Sequence, residues 1–303
     1  MNVYQFKACY KLSESCTLPK YKTMKFRGIF GNAFRKLVCK NVKETNCSKC
    51  PLAINCDFAA TFQRLNLNPN SVEEKYKKFS NFPPKLVFYV ASKKRYWEKD
   101  EELEVIISFL GIPQIPIEMI TLILMLVGQY QIDKKSNAQL ILKKLIDLSN
   151  NKDIFSQKEI VNNDIQPIKF KSFDLNKTIR TINFLTHCRI TNKDIRVSND
   201  LTGTIFARRI KERLKLLMID QEKPYNCLWD INEVEIIDKD IRFEEIGHRS
   251  NRQRQKIMLG GFIGKISIKC ENLNFWRDLQ SLEYLHIGSN AQGGYGKFEI
   301  CDD

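Results

Sequence analysis

Alternating and periodic apolar positions divide the chain into strands and helices. Residues 3–12, VYQFKACYKL, alternate imperfectly between apolar and polar side chains, which predicts a half-buried first strand. Residues 24–38 instead carry apolar side chains at intervals of three and four, which predicts a helix. The apolar positions of this helix are Phe26, Ile29, Phe30, Ala33, Phe34, Leu37 and Val38. Its other side is basic, with Lys25, Arg27, Arg35 and Lys36.

The rest of the first half follows the same kind of pattern. Residues 85–91 and 103–110 are short apolar runs that predict two strands, and residues 117–130 predict an apolar helix. The pattern of residues 138–148, AQLILKKLIDL, does not decide between helix and strand. If this last element is a strand, the first half has the order β-α-β-β-α-β.

The second half repeats this order without repeating the sequence. Its predicted elements are a strand at 178–186, a helix at 201–219, strands at 234–245 and 261–269, a helix at 273–284 and a last strand at 295–300. Two β-α-β-β-α-β halves predict an α+β protein of tandem ferredoxin-like domains, a plan also used by RNA recognition motifs. We therefore expect domains at residues 1–150 and 178–303, joined by the polar linker 151–177.

The charge balance indicates a polyanionic partner. The 303 residues contain 49 Lys and Arg against 35 Asp and Glu, a formal net charge of +14. Nucleic acid is the first candidate, and an anionic membrane surface is the second. The longest apolar run, residues 115–128, is interrupted by Glu118 and is shorter than the roughly 20 residues of a membrane-spanning helix. Since the first residues lack the apolar segment of a secretion signal, we expect the cytoplasm.

Four of the ten cysteines lie close together in the sequence. Cys39, Cys47, Cys50 and Cys56 fall within eighteen residues and include one C-x2-C pair, which predicts a tetrahedral metal site of four thiolates. Zinc is the first choice, but an iron–sulfur cluster takes the same ligands, and the spacing does not separate the two. A site closed by four ligands would be structural rather than catalytic. The alternative is four free cysteines in a loop.

The C-terminal stretch 282–300, LEYLHIGSNAQGGYGKFEI, is rich in glycine. Gly288, Gly293, Gly294 and Gly296 stand between two apolar segments, and glycine lets the backbone approach a ligand closely. The spacing matches neither a P-loop nor a dinucleotide-binding motif. A phosphate backbone is therefore one candidate ligand, and a glycine-rich hairpin turn without a ligand is the alternative.

A basic segment precedes the paired glycines of the second half. Residues 248–261 read HRSNRQRQKIMLGG, and an extended chain would place Arg252, Arg254 and Lys256 on one face. Cations spaced about 7 Å apart approximate the pitch of a single-stranded phosphate backbone. The alternative is a solvated, charged strand at the edge of a sheet.

Three segments together resemble a known family. They are FRGIFGNAFRKLVC with its downstream C-x2-C-P-x4-C, RQRQKIMLGGFIGKI, and LHIGSNAQGGYGKFEI. This combination is similar to the CRISPR-associated repeat-processing endoribonucleases of the RAMP superfamily, in the branch with a cysteine-bearing insertion after the first helix. The matching segments extend from Phe26 to Ile300, so the resemblance covers both halves.

The resemblance implies cleavage of RNA without a metal ion. Such enzymes bind the repeat of precursor CRISPR RNA, and the 2′-hydroxyl attacks the neighbouring phosphate to leave a 2′,3′-cyclic phosphate. This chemistry needs a base, an acid and groups that stabilise the phosphorane charge. The candidate catalytic residues are His286, His248, Tyr295 and Lys297. The candidate RNA-binding residues are Arg27, Arg35, Lys36, Arg249, Arg252, Arg254, Lys256, Gly288, Gly293, Gly294 and Gly296.

The sequence departs from the family pattern in the first helix. Relatives in this branch often have a histidine there, whereas this chain has Asn32, which is not a base. His187 is interpreted as a packing or hydrogen-bonding residue. The alternative functions are a guide-RNA-binding subunit of a CRISPR effector complex that does not cut, and a zinc-containing DNA-binding or scaffold protein. We expect a monomer or a homodimer, and no membrane partner.

Overall fold

The computed structural model describes nine stretches of the chain. They are residues 1–44, 46–64, 82–133, 135–174, 176–192, 195–197, 199–220, 225–250 and 255–301, with only the backbone described at 248–250 and 255–258. The chain forms two compact units, Met1–Lys169 and Phe170–Asp303. Each unit is described by itself.

The N-terminal unit is built on a long antiparallel sheet. Its strands are β1 (Val3–Leu12), β2 (Cys16–Thr17), β3 (Leu86–Tyr89), β4 (Tyr96–Trp97), β5 (Glu102–Leu110), β6 (Gln131–Asp133), β7 (Ala138–Asp147), β8 (Lys152–Ser156) and β9 (Glu159–Ile160). Its α-helices in the described residues are α1 (Thr23–Val38) and α2 (Ile117–Val127). The main sheet has the order β3-β5-β1-β7-β8-β9, and β6 pairs with β7. The strands β3-β5-β1-β7 with α1 and α2 form the ferredoxin-like plan.

Aromatic side chains of α1 fill the core beneath this sheet. Phe26, Phe30 and Phe34 follow one another at intervals of four residues, and all three are buried. The rings of Phe30 and Phe88, the latter on β3, have centroids 4.9 Å apart. Burying one such side chain contributes about 2 kcal/mol. The spacing that predicts the helix is thus also the spacing that holds it against the sheet.

The C-terminal unit repeats the plan with a smaller sheet. Its strands are β10 (Ile179–Cys188), β11 (Thr191–Asn192), β12 (Ile195–Arg196), β13 (Glu235–Glu244), β14 (Gly247–Ser250), β15 (Gln255–Met258), β16 (Gly261–Lys269) and β17 (Phe298–Cys301). Its α-helices in the described residues are α3 (Gly203–Leu217) and α4 (Leu273–Leu285). The four-stranded sheet has the order β13-β16-β10-β17. Strands β14 and β15 lie between β13 and β16 in the sequence, and they form a separate hairpin.

The structure confirms the predicted tandem ferredoxin-like fold, decides one element that the sequence left open and corrects two others. Residues 138–148, left open by the sequence pattern, form strand β7. The polar segment predicted as a linker contains strands β8 and β9, because Ile154 and Phe155 pack into the core. The last strand begins at Phe298 rather than at residue 295, because the preceding residues belong to the glycine-rich loop.

Candidate functional site

Backbone hydrogen bonds fasten the glycine-rich loop to the end of β10. The loop runs from the end of α4 to the start of β17. The amide of Gly296 donates to the carbonyl oxygen of His187 at 2.8 Å, and the amide of Ser289 donates to that of Arg189 at 2.9 Å. The amide of Ile287 also donates to the carbonyl oxygen of Gly296 at 3.0 Å, which closes the loop on itself.

The glycines of this loop serve its internal packing. Gly296 has φ +67°, and a Cβ added there would lie 1.8 Å from the carbonyl oxygen of Ile287. Gly288 has φ +81°, and its added Cβ would lie 2.5 Å from the carbonyl oxygen of Arg189. Gly293 and Gly294 are buried at the end of a short 3-10 turn. The loop therefore makes a tight turn with Ser289 and Asn290 exposed, and its contact with a phosphate stays a prediction.

His286 begins this loop with a buried side chain. It is 2% exposed, and its Nδ1 lies 3.3 Å from the carbonyl oxygen of Ala291. Arg213 of α3 donates from Nε to the carbonyl oxygen of His286 at 3.3 Å and from Nη2 to that of Leu285 at 3.0 Å. Burial, followed by the charges of Lys297 and Arg213, holds the pKa of His286 well below its usual range. The imidazole is therefore neutral near pH 7 and is held inside the loop.

Tyr295 and Lys297 also have partners within the unit. The buried Tyr295 hydroxyl lies 3.5 Å from the carbonyl oxygen of Leu259. The Lys297 ammonium donates to the carbonyl oxygen of Glu283 at 2.6 Å and lies 5.7 Å from the centre of the Tyr284 ring. Burial lowers the pKa of Lys297. Both candidate residues thus belong to the loop, and their polar atoms are directed at backbone carbonyls.

The basic hairpin lies next to this loop. Residues Gly247–Ser250 pair with Gln255–Met258, and Arg249 stands opposite Lys256 in the register. The amide of Leu259 donates to the carbonyl oxygen of Ile246 at 2.8 Å, which closes the root of the hairpin. Because Tyr295 contacts the same Leu259, the root of the hairpin and the glycine-rich loop adjoin.

The structure describes only some of the predicted basic residues of the hairpin. Arg252 and Arg254 lie outside the described residues. His248 and Arg249 are on β14 and Lys256 is on β15, where the backbone alone is described. The extended run expected at residues 252–256 is therefore a strand from Gln255 onward.

One charged cluster at this end of the unit includes His187, which the sequence indicates as a packing or hydrogen-bonding residue. Nε2 of the buried His187 lies 2.8 Å from Oε2 of Glu244, whose Oε1 accepts a hydrogen bond from Nε of Arg242 at 2.8 Å. The hydrogen bonds from Arg242 and then His187 lower the pKa of Glu244 to about 2. A signal was available in the sequence, since Arg242 and Glu244 are two residues apart on a predicted strand and share one face. Nothing in the sequence placed His187 beside them.

The cations of α1 differ in their exposure. Arg27 is half-buried, with its guanidinium 4.7 Å from the centre of the Phe62 ring. Arg35 is half-buried and donates to the carbonyl oxygen of Glu44. Lys36 is exposed, and its ammonium donates to Oε1 of Gln129 at 3.2 Å. Asn32 is exposed on the same helix.

The four clustered cysteines follow α1 in two short turns. Burial raises the pKa of Cys47, and the nearby thiols of Cys56, Cys39 and Cys50 raise it further, whereas Arg35 opposes them. The other three thiols are therefore each close enough to Cys47 to affect its pKa, and thiolates are ligands that suit zinc. Within the described residues, however, no group of three or more His, Cys, Asp or Glu side chains is arranged to hold a metal ion. The metal site stays a prediction.

Across the described ranges, no helix is both long and apolar enough to cross a membrane. The apolar helix predicted at residues 117–130 is α2, which ends at Val127 and packs against α1.

Comparisons with known proteins agree with this architecture. Residues 1–169 match a family profile described as AF_1859_N, N-terminal domain. No curated protein gives a significant match. One similar solved structure is the partial Cas6-RT-Cas1–Cas2 complex, with 11% sequence identity and a TM-score of 0.59. The match covers 100% of this chain and 46% of that chain. It thus spans less than half the length of that relative.

Two further solved structures match over their whole length. A Cas6 (TTHB231) product complex has a TM-score of 0.56 at 10% identity, with 99% of this chain and 100% of that chain covered. Thermus thermophilus Cas6 (TTHB231) has a TM-score of 0.52 at 11% identity with the same coverage. Similarity at such low identity establishes the fold, whereas the profile covers more than half of the chain. The protein therefore belongs to the family described as AF_1859_N and has the fold of these Cas6 structures.

Proposed function

We propose that this protein binds the repeat of precursor CRISPR RNA and cleaves it without a metal ion. The 2′-hydroxyl attacks the adjacent phosphorus, the P–O5′ bond breaks, and the products carry a 2′,3′-cyclic phosphate and a 5′-hydroxyl. The observation that carries the proposal is the contact between Tyr295 and Leu259, which joins the glycine-rich loop to the root of a basic hairpin. The net charge of +14 and the fold shared with a Cas6 product complex support it.

The three histidines have different roles in this proposal. His187 and His286 are buried and hydrogen-bonded inside the C-terminal unit, which suits residues that shape the loop. His248 is on strand β14 of the basic hairpin. An imidazole with a pKa near neutrality suits proton transfer, so the proposal gives His248 the acid or base role and gives His286 a positioning role.

A cleavage assay in EDTA tests the proposal. The purified protein is incubated with a repeat-containing RNA and with the same RNA carrying a 2′-deoxy nucleotide at the cleaved position. We expect cleavage of the first RNA and binding without cleavage of the second. His248→Ala should lower the cleavage rate by about 100-fold or more, since general acid–base catalysis contributes 10²–10⁴-fold. His286→Ala should lower thermal stability as well as rate.

The second candidate function is a guide-RNA-binding subunit that does not cut. The exposed Asn32, at a position where relatives often have a histidine, favours it. Tight binding of intact repeat RNA by the wild-type protein, with no cyclic-phosphate product, would select this function. Equal affinity for duplex DNA and repeat RNA at matched salt would instead select the DNA-binding scaffold.

We also propose that Cys39, Cys47, Cys50 and Cys56 bind one structural zinc ion, with an iron–sulfur cluster as the alternative. The proximity of the four thiols supports this. The site would order the segment after α1 and would take no part in the cleavage chemistry. We expect a cytoplasmic protein that delivers its product to a CRISPR effector complex as a monomer or homodimer.

A further inference from the structure

A loop and a short segment are bound together at one end of the N-terminal unit. The loop, residues 90–101, connects β3 to β5, and the segment, residues 18–22, precedes α1. The amide of Leu18 donates to the carbonyl oxygen of Arg95 at 2.7 Å. Strand pairing joins Thr17 to Tyr96. The two stretches therefore form one surface, which we call the 93–96 surface after its most exposed residues.

A buried lysine braces this surface from below. Lys22 is 2% exposed, and its ammonium donates to the carbonyl oxygens of Ser92 at 2.8 Å and Lys94 at 2.7 Å. The same ammonium lies 5.4 Å from the centre of the buried Trp97 ring, and that of Lys94 lies 5.5 Å from it. Burial lowers the pKa of Lys22 to about 8, so the group is still mostly charged at pH 7. Two ammonium groups thus lie near the same indole ring.

In the part of the chain that the structure describes, no carboxylate forms an ion pair with the Lys22 ammonium. Within the described residues its partners are two carbonyl oxygens and an aromatic ring. The ammonium of Lys94 is paired with Glu101 at 2.5 Å, and that of Lys99 is 3.8 Å from Glu14. Lys94 and Lys99 are therefore each paired with an acid, whereas the described hydrogen-bond partners of Lys22 are uncharged.

Cations without ion pairs cover the outside of the surface. Lys20, Lys93 and Arg95 are exposed, and among the described residues none of them is within salt-bridge distance of an acid. Beside them Tyr96 is 57% exposed. Two further acids of the loop, Glu98 and Asp100, follow Trp97 in the sequence. Positive charge and an exposed aromatic ring thus occur together, before Trp97.

We propose that the 93–96 surface binds a single-stranded stretch of RNA, with Lys20, Lys93 and Arg95 on phosphates and Tyr96 against a base. Single-strand binding sites combine cations that follow the backbone with aromatic rings on which bases stack. Because the Lys22 ammonium holds two carbonyl groups of the loop in place, the loop has less conformational freedom to lose on binding. The proposal rests on RNA being the protein's ligand, and it adds a contact that the hairpin and the glycine-rich loop do not supply.

The test uses a pair of charge-matched variants of the full chain. Lys93→Ala/Arg95→Ala removes two cations of the surface, and Lys143→Ala/Lys158→Ala removes two exposed cations elsewhere in the same unit. The probe is a 15-nucleotide oligouridylate, whose binding does not depend on a repeat. We expect about tenfold weaker binding for the first variant and a salt slope smaller by about 1.4, since each phosphate contact on a single strand contributes about 0.7. The control should bind like the wild type.

The aromatic contact is tested separately. Tyr96→Ser should weaken oligouridylate binding about tenfold without changing the salt slope, because stacking involves no counterion release. Equal Kd values and salt slopes for Lys93→Ala/Arg95→Ala and the control variant overturn the proposal. An equal loss of affinity for duplex DNA or for phosphatidylserine vesicles overturns the assignment to single strands. Cleavage of repeat RNA by the wild type is assayed in parallel, so the proposed function stands or falls independently.

Discussion

The Nε2 atom of His187 lies 2.8 Å from the Oε2 atom of Glu244, across the root of the basic hairpin. Glu244 is the last residue of β13, and His187 is the next-to-last residue of β10, so the pair links two strands that are not neighbours in the sheet. It fixes the end of the sheet from which both the hairpin and the glycine-rich loop depart.

This pair should make stability depend on pH. The pKa of Glu244 is lowered to about 2, so its contribution is present above the carboxyl's unfolded pKa and is lost as the pH falls towards 2. Glu244→Gln should lower the unfolding free energy by about 1 kcal/mol at pH 7, an amount reduced by solvent screening of the partly exposed pair.

Urea denaturation at pH 7 and at pH 2.5 measures the effect of this substitution. The difference between wild type and Glu244→Gln should shrink at the lower pH. Glu235→Gln, at the exposed far end of the same strand, is the control and should have little effect at either pH. An equal loss of stability at both pH values would show that the charge of Glu244 is not what matters.

Gly296→Ala should destabilise the C-terminal unit strongly. The substitution combines a positive φ with a Cβ placed 1.8 Å from a carbonyl oxygen, so the loop must move. Gly111 is a matched control, because its φ is +75° and an added Cβ has nothing within 4 Å. We expect a loss of about 1 kcal/mol for Gly111→Ala and at least twice that for Gly296→Ala in chemical denaturation. Similar losses for the two variants would mean that the loop relieves the contact between the added Cβ and the carbonyl oxygen without losing stability.

Lys22 should make the protein more stable in mild alkali. Its pKa is lowered to about 8, so between pH 8 and the usual lysine pKa the folded protein binds fewer protons than the unfolded chain. The unfolding free energy should therefore rise over this range by about 2 kcal/mol relative to Lys22→Met, given about 1.4 kcal/mol per pKa unit. Denaturation curves from pH 7.5 to pH 10 measure it, with Lys20→Met as the exposed control. Parallel pH profiles for wild type and Lys22→Met would contradict the burial of a charged ammonium.

Metal analysis tests the cysteine segment. Protein purified under reducing conditions should contain about one zinc per chain, and Cys47→Ser/Cys50→Ser should lose it and melt at a lower temperature. Cys301→Ser removes a thiol outside the cluster and should keep the metal. Cleavage of RNA by the double variant, below its melting temperature, should continue. If the wild-type protein contains no metal and the double variant is as stable as the wild type, the four cysteines are free thiols.

Local periodicity predicts most elements of this fold. The bounds of β1 agree residue for residue, and α1 begins one residue earlier than predicted, because the apolar spacing of each reflects one buried face. Strand β7 could not be identified for a physical reason. Its pairing with β1 shifts register between Cys9 and Tyr10, so Leu140 and Leu145 are both buried although five residues apart. A bulge of this kind breaks the two-residue alternation that would identify a strand.

The candidate site was predicted less completely than the fold. Its location in the C-terminal half follows from glycine and arginine content, but the burial of His286 does not, because burial depends on how the loop folds back onto β10. The His187–Glu244 pair joins residues 57 positions apart, which local patterns do not connect. The 93–96 surface was missed for the same reason, since its cations are contributed by two separate segments.

The most direct test of the account is the chemical identity of the RNA ends. Repeat-containing RNA is incubated with the wild-type protein in EDTA, and the products are analysed by mass spectrometry beside a 2′-deoxy control. The account predicts a single cut per repeat, with a 2′,3′-cyclic phosphate on one fragment, a 5′-hydroxyl on the other and no cut in the control. Intact RNA, or cleavage of the 2′-deoxy substrate, would contradict it.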